Sequence, residues 1–172
     1  MASGDTLAER ITWLVDQPKT LLGVRGMADW QRGNNAGEER ISWPIALVGQ
    51  PGLDAELCVV AYPHHRPQEW HINFIAGERV MGLDHEPEGG HLNSRRIPSD
   101  NVPLLVSGPH AHLWSDNLRF CLGNALPKRL PIARAVPSRQ FDSSLRWFCD
   151  AAHITFPSGA ALHLPPREQL PL

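Results

Sequence analysis

Between Thr6 and Asp16 the apolar positions Leu7, Ile11, Leu14 and Val15 recur at helical spacing, with Asp5 or Thr6 as N-cap and Pro18 closing the run. This predicts an amphipathic helix. A period of two then takes over. Arg40–Val48 (RISWPIALV), Glu56–Tyr62, Glu69–Ile75 and Val80–Asp84 read as strands, separated by turns at Gln50-Pro51-Gly52, Pro63–Pro67 and Ala76–Arg79. The last three predict an antiparallel meander. Pro44 lacks a backbone donor, which places the first run at a sheet edge. Within Glu69–Ile75, Trp70, Ile72 and Phe74 share one face, and His71, Asn73 and Ile75 share the other. Helical period returns in Ser138–Ala152, where Phe141, Leu145 and Phe148 line one side with Trp147 beside them. The expected fold class is α+β: an antiparallel sheet of about four to six strands with helices packed on one face.

The intervening stretches set the expected organisation. Residues 19–40 contain Gly23, Gly26, Gly33, Gly37 and Asn34-Asn35, a flexible connection in which Met27, Ala28 and Trp30 anchor a helical turn. Residues 85–102 form a long polar loop, a length that compact domains keep for a purpose. A proline-rich, irregular tail runs from Phe156. One domain of 172 residues is expected, with helix and connection over 1–40, sheet over 41–115, a basic segment and helix over 116–155, and the tail over 156–172.

Composition changes this picture in three places. The formal net charge of −2 gives no global sign of nucleic-acid or membrane binding. Yet Arg119, Lys128, Arg129, Arg134 and Arg139 fall between Asn117 and Phe141 without an acid among them, which predicts a local positive face. Cys58, Cys121 and Cys149 form neither a C-x-x-C pattern nor a disulfide framework, so buried free thiols and a reducing, cytoplasmic setting are expected. No leader or membrane-spanning run is expected.

The chemistry concentrates in Ser107–Asn117 (SGPHAHLWSDN). On a strand, His110 and His112 point the same way and Ala111 the other. Two imidazoles side by side suit proton transfer near neutral pH or joint metal ligation. In a metal-independent ribonuclease, His110 and His112 serve as base and acid, with His71 or His91 able to replace one of them. Arg119 then stabilises charge on the phosphate, and Arg95, Arg96, Lys128, Arg129 and Arg134 hold the RNA backbone. In that reading no cofactor is needed. The alternative cofactor is zinc or another divalent metal, with Asp116 or His71 completing a set begun by His110 and His112. This H-x-H spacing resembles the first motif of cupin barrels, whose later carboxylate would be Asp116 and whose second histidine motif is missing. A third reading is a non-enzymatic interaction module (antitoxin, immunity factor or phage inhibitor), which six tryptophans would suit as contact residues. Asp116-Asn117 also reads as a helix cap, and His64-His65 as a solvated loop tip.

The run Gly-Pro-His-x-His-x-Trp-x-Asp-Asn over 108–117, followed by Arg119-Phe120 and later by Leu145-Arg146-Trp147-Phe148-Cys149, resembles an uncharacterised family of short bacterial proteins. Its layout is more distantly similar to the TumE-like toxins of toxin–antitoxin pairs, with a looser match over Asp84–Asn93. The resemblance covers roughly the second half of the chain. It implies a small cytoplasmic α+β protein directed at RNA, with RNA or a cognate antitoxin as partner and no membrane association.

Overall fold

The structure, a computed structural model, describes residues 6–24, 29–47, 54–93, 102–121, 125–157 and 162–166. It is α+β. Helix α1 (Leu7–Asp16) leads into β1 (Lys19–Leu21) and β2 (Gln31–Arg32), then β3 (Glu39–Leu47), β4 (Glu56–Tyr62), β5 (Glu69–Ala76) and β6 (Glu78–His85). A ribbon of β7 (Gly90–Leu92) and β8 (Leu105–Ser107) precedes β9 (His110–His112) and the short α2 (Trp114–Asn117). Then come β10 (Arg134–Ala135), α3 (Phe141–Ala151) and β11 (Ile154–Thr155).

One nine-stranded sheet runs in the order β10-β9-β6-β5-β4-β3-β1-β11, with β2 on the flank of β3. Its pairs are antiparallel except β1 with β11. The sheet is therefore larger than the expected four to six strands, and mixed. The reason is physical. Strands of two or three residues, such as β1, β10 and β11, are too short to show a period, and they form because longer neighbours offer them a ladder. The central meander β4-β5-β6 falls where its alternation placed it, with a register shift between Phe74 and Ile75.

The edge expectation for Pro44 is overturned. Strand β3 is interior, paired with β4 on one side and with β1 and β2 on the other. Strand β1 pairs with residues 45–47 and β2 with 39–40, so the missing Pro44 donor falls in the gap between them. The Pro44 carbonyl still accepts the Leu22 N–H at 2.9 Å.

Leu57, Val59 and Ala61 of β4 and Trp70, Ile72 and Phe74 of β5 all face the core, which Ile11, Leu14, Phe141, Leu145 and Phe148 of α1 and α3 complete. Thr6 caps α1 through a reciprocal box with Glu9. At the other end of α1, the fully buried Lys19 ammonium donates to the Leu14, Val15 and Gln17 carbonyls at 2.6–2.8 Å, and burial pushes its pKa down to about 8. Residues 19–40, expected as connection, hold β1 and β2; Met27 and Ala28 lie outside the described residues. The 85–102 loop likewise holds β7. Cys58 and Cys149 are buried free thiols as expected, while Cys121 is half-buried. No helix among the described residues is long and apolar enough to cross a membrane.

Candidate metal centre

The sheet register assembles the site. His71 of β5 pairs with Asp84 of β6, and Asp84 pairs with His110 of β9; one step along, Asn73 pairs with Gly82 and Gly82 with His112. Strand alternation therefore sends His71, Asp84, His110 and His112 to one face while Ile72, Leu83 and Ala111 go into the core. The ribbon brings a third imidazole: the His91 ring centroid lies 4.6 Å from that of His112 and 5.5 Å from that of His110.

Each of these rings is locked by a backbone carbonyl. His110 donates through Nδ1 to Gly108 O at 2.8 Å, His112 through Nδ1 to Ile132 O at 3.0 Å, and His91 through Nε2 to Pro131 O at 3.0 Å. A carbonyl can only accept, so the bonded nitrogen carries the proton and the other nitrogen of each neutral ring keeps its lone pair. Gly108 reaches its carbonyl position with φ +73°, a conformation that favours glycine. The three histidines each offer a ligand atom, and these atoms lie within 4.8 Å of one another. Ring nitrogens fixed in this way by outer hydrogen bonds are how proteins present histidine to a metal.

The Pro131 and Ile132 carbonyls belong to an irregular strap, residues 127–133, held by two buried asparagines. Asn117 accepts the Ile132 N–H and donates to its carbonyl, both at 2.9 Å; Asn93 does the same to Ala133 at 2.7 and 2.9 Å. Asn117 stands at the N-cap of the following helical turn, Leu118–Phe120, as the sequence suggested, but its side chain makes no capping bond and clamps the strap instead. Replacing Asn117 by alanine leaves the buried Ile132 N–H unpaired and its carbonyl to His112 alone. We expect a loss of about 2 kcal/mol in a urea melt, together with weaker metal binding, because the His112 acceptor moves with the strap.

Asp84 sits beside the rings. Its Oδ2 lies 3.3 Å from His112 Nε2 and 3.8 Å from His110 Nε2, while Oδ1 accepts from His71 Nδ1 at 2.8 Å. The Arg79 guanidinium donates to both oxygens at 2.8 and 2.9 Å, lying over Gly82, where a Cβ would collide with it. Burial opposes the Asp84 charge, but the hydrogen bonds from His112 and His71 and the Arg79 charge overcome it and hold the carboxyl well below the usual range. For His112 to donate to Asp84, its Nε2 must carry a second proton beside the one that Nδ1 gives to Ile132 O, and a metal on Nε2 would take the place of that proton and meet the same carboxylate.

Burial lowers the His91 pKa against the bond to the Pro131 carbonyl, which raises it, and this keeps the ring neutral and able to ligate. His71 behaves oppositely. Burial alone would lower it, but Asp84 on one nitrogen and Glu69 on the other, at 3.0 Å, raise it above 6.5. A raised pKa contributes stability in full below the unfolded value and loses it as pH climbs through the folded one. The stability gap between the wild type and His71→Gln should therefore narrow from about pH 6 to about pH 9 in urea denaturation. A gap that widens contradicts the charged His71.

The other predicted site residues divide. Lys128 and Arg129 line the cavity over the histidines, which has a volume of about 280 Å³. Arg119 is exposed, over the Phe120 ring at 5.4 Å, and does not line it. Arg134 donates twice to Asp116 at 2.6 Å, so Asp116 is committed to an ion pair and the metal-capable group takes His91 in its place. Arg95 and Arg96 lie outside the described residues. His65 is not simply solvated: it bonds Glu69 at 2.8 Å and stacks on Tyr62. Sequence reasoning missed Asp84, Arg79 and Asn93. A lone acid ending an apolar strand was the one available signal for Asp84. Compared with protein-family models, curated proteins and solved structures, the chain returns no match.

Proposed function

We propose that this protein is a metal-dependent hydrolase whose centre is a divalent cation bound by His91, His110 and His112. The observation that carries this reading is the clustering of three histidines whose ligand atoms lie within 4.8 Å of one another, each ring bonded through one nitrogen to a backbone carbonyl. Three neutral imidazoles are a donor set that zinc accepts readily, and three protein ligands leave a position for water. Asp84, held ionised beside His110 and His112, would balance the charge of a cation bound there. Zinc supplies Lewis acidity and brings bound water near a pKa of about 7. A protein stripped of metal and dialysed against Zn²⁺ should take up one equivalent. At 100 times the dissociation constant, the metal should add about 2.7 kcal/mol of stability. Uptake no greater than that of a His91→Ala/His110→Ala/His112→Ala protein overturns the reading.

A ribonuclease built on the same histidines is the second reading, favoured by Lys128 and Arg129 on the cavity wall. Incubation of RNA with the wild type and with His110→Ala/His112→Ala tests it. Cleavage by the first alone supports it, and intact RNA with both rejects it.

A further inference from the structure

We propose that Lys128 and Arg129 form an oxyanion subsite beside the metal centre, and that the substrate is a compact phosphate ester. This inference rests on the metal reading and adds the chemical class of the ligand.

The strap sets the position of the two cations. They stand between Pro127 and Pro131, in a segment whose Leu130, Ile132 and Ala133 side chains are buried. The carbonyls that fix the His91 and His112 rings are those of Pro131 and Ile132, two and three residues beyond Arg129. One short piece of backbone thus orients two metal ligands and carries the cationic pair to the same cavity. Displacement of one implies displacement of the other.

Charge decides what such a cavity admits. Arg79 is neutralised by its two bonds to Asp84, whereas Lys128 and Arg129 have no ion-pair partner among the described residues. With a divalent ion on three neutral imidazoles, the cavity gains two positive charges and favours an anion. A phosphate group fits both demands, one oxygen toward the metal and others toward guanidinium and ammonium.

Two further features favour a small ester over a nucleic-acid strand. The cavity of about 280 Å³ lies at the lower end of the size range of small-molecule sites. Glu78 and Glu86 also line it, so a polyanion crossing the mouth meets acids as well as bases, and the cations Arg119 and Arg134 that a strand would need lie elsewhere. Glu78 and Glu86 instead suit hydroxyl or ammonium donors on the body of a compact ester.

The test is calorimetric titration of the zinc-loaded protein with inorganic phosphate, repeated on Lys128→Ala/Arg129→Ala. Both side chains are exposed, so the variant should fold and hold zinc with unchanged affinity. Its phosphate affinity should fall about tenfold or more. A variant that binds phosphate as well as the wild type does, or a zinc-loaded wild type that binds none, overturns the subsite and leaves the metal centre standing. A wild type that takes up no zinc overturns both. A single-stranded RNA oligonucleotide that binds more tightly than glycerol phosphate overturns the compact substrate.

Discussion

A His112→Ala protein is expected to bind Zn²⁺ at least about 100-fold more weakly than the wild type, measured by competition with a chromophoric chelator. Loss of an outer partner of a metal histidine alone costs about 10- to 100-fold, and here a ligand is lost as well. The His112 ring has two tasks in this account: it is one of the three proposed ligands, and its Nδ1 N–H holds the Ile132 carbonyl at 3.0 Å. Alanine removes both, leaving that carbonyl to Asn117 alone. His153→Ala is the control, since that histidine is exposed and lies outside the metal-capable group. It should bind zinc as the wild type does, and far-ultraviolet circular dichroism should show both variants folded. Equal affinities for His112→Ala and the control contradict the assignment.

The second large effect is expected at Asp84. Asp84→Ala should lower stability by about 3 kcal/mol in urea denaturation, because it leaves cationic groups at a largely buried position without their carboxylate. Arg79 keeps 38% of its side-chain surface exposed and can turn toward water, whereas His71, at 19%, has less room. The loss should therefore shrink when Arg79 is removed too. The double variant Arg79→Ala/Asp84→Ala should be destabilised by less than the sum of the two single changes, as coupled neighbours are. Additive losses would mean that the guanidinium and carboxylate act independently, against the contacts of Arg79 Nη2 with both Asp84 oxygens at 2.8 and 2.9 Å.

These two residues also mark how far the sequence could be read. The helices and the meander were legible because their apolar positions repeat often enough to fix a period, as Leu7, Ile11 and Leu14 or Trp70, Ile72 and Phe74 do. His110 and His112 were legible as a pair because two residues on one short strand share a face whatever the fold around them. Asp84 was not, because its role depends on the register of β6 against both β5 and β9, a property of three segments together. His91 could be named as a candidate but not placed, since β7 is a three-residue strand in a polar stretch. The strap was hidden for a similar reason: its residues carry no period, and it is held by Asn93 and Asn117, 40 and 15 residues away along the chain from their bonded partners. Asp116 looked like the natural third ligand from its spacing alone, yet Arg134 claims it.

The basic segment shows the same distinction between composition and placement. Five cations in sequence suggested one positive face. In the fold, Arg134 is neutralised, Arg119 lies over Phe120, and Lys128 with Arg129 reaches the cavity. Local charge density indicated that cations were present; the strap determined which of them meet the histidines.

X-ray absorption of the zinc-loaded protein tests the central claim most directly. Three imidazole nitrogens at about 2.0–2.1 Å, with one further light atom, are predicted for a centre of His91, His110 and His112 with an open position. A sulfur shell at about 2.3 Å, or a first shell without imidazole scattering beyond it, would place the metal elsewhere and contradict the account.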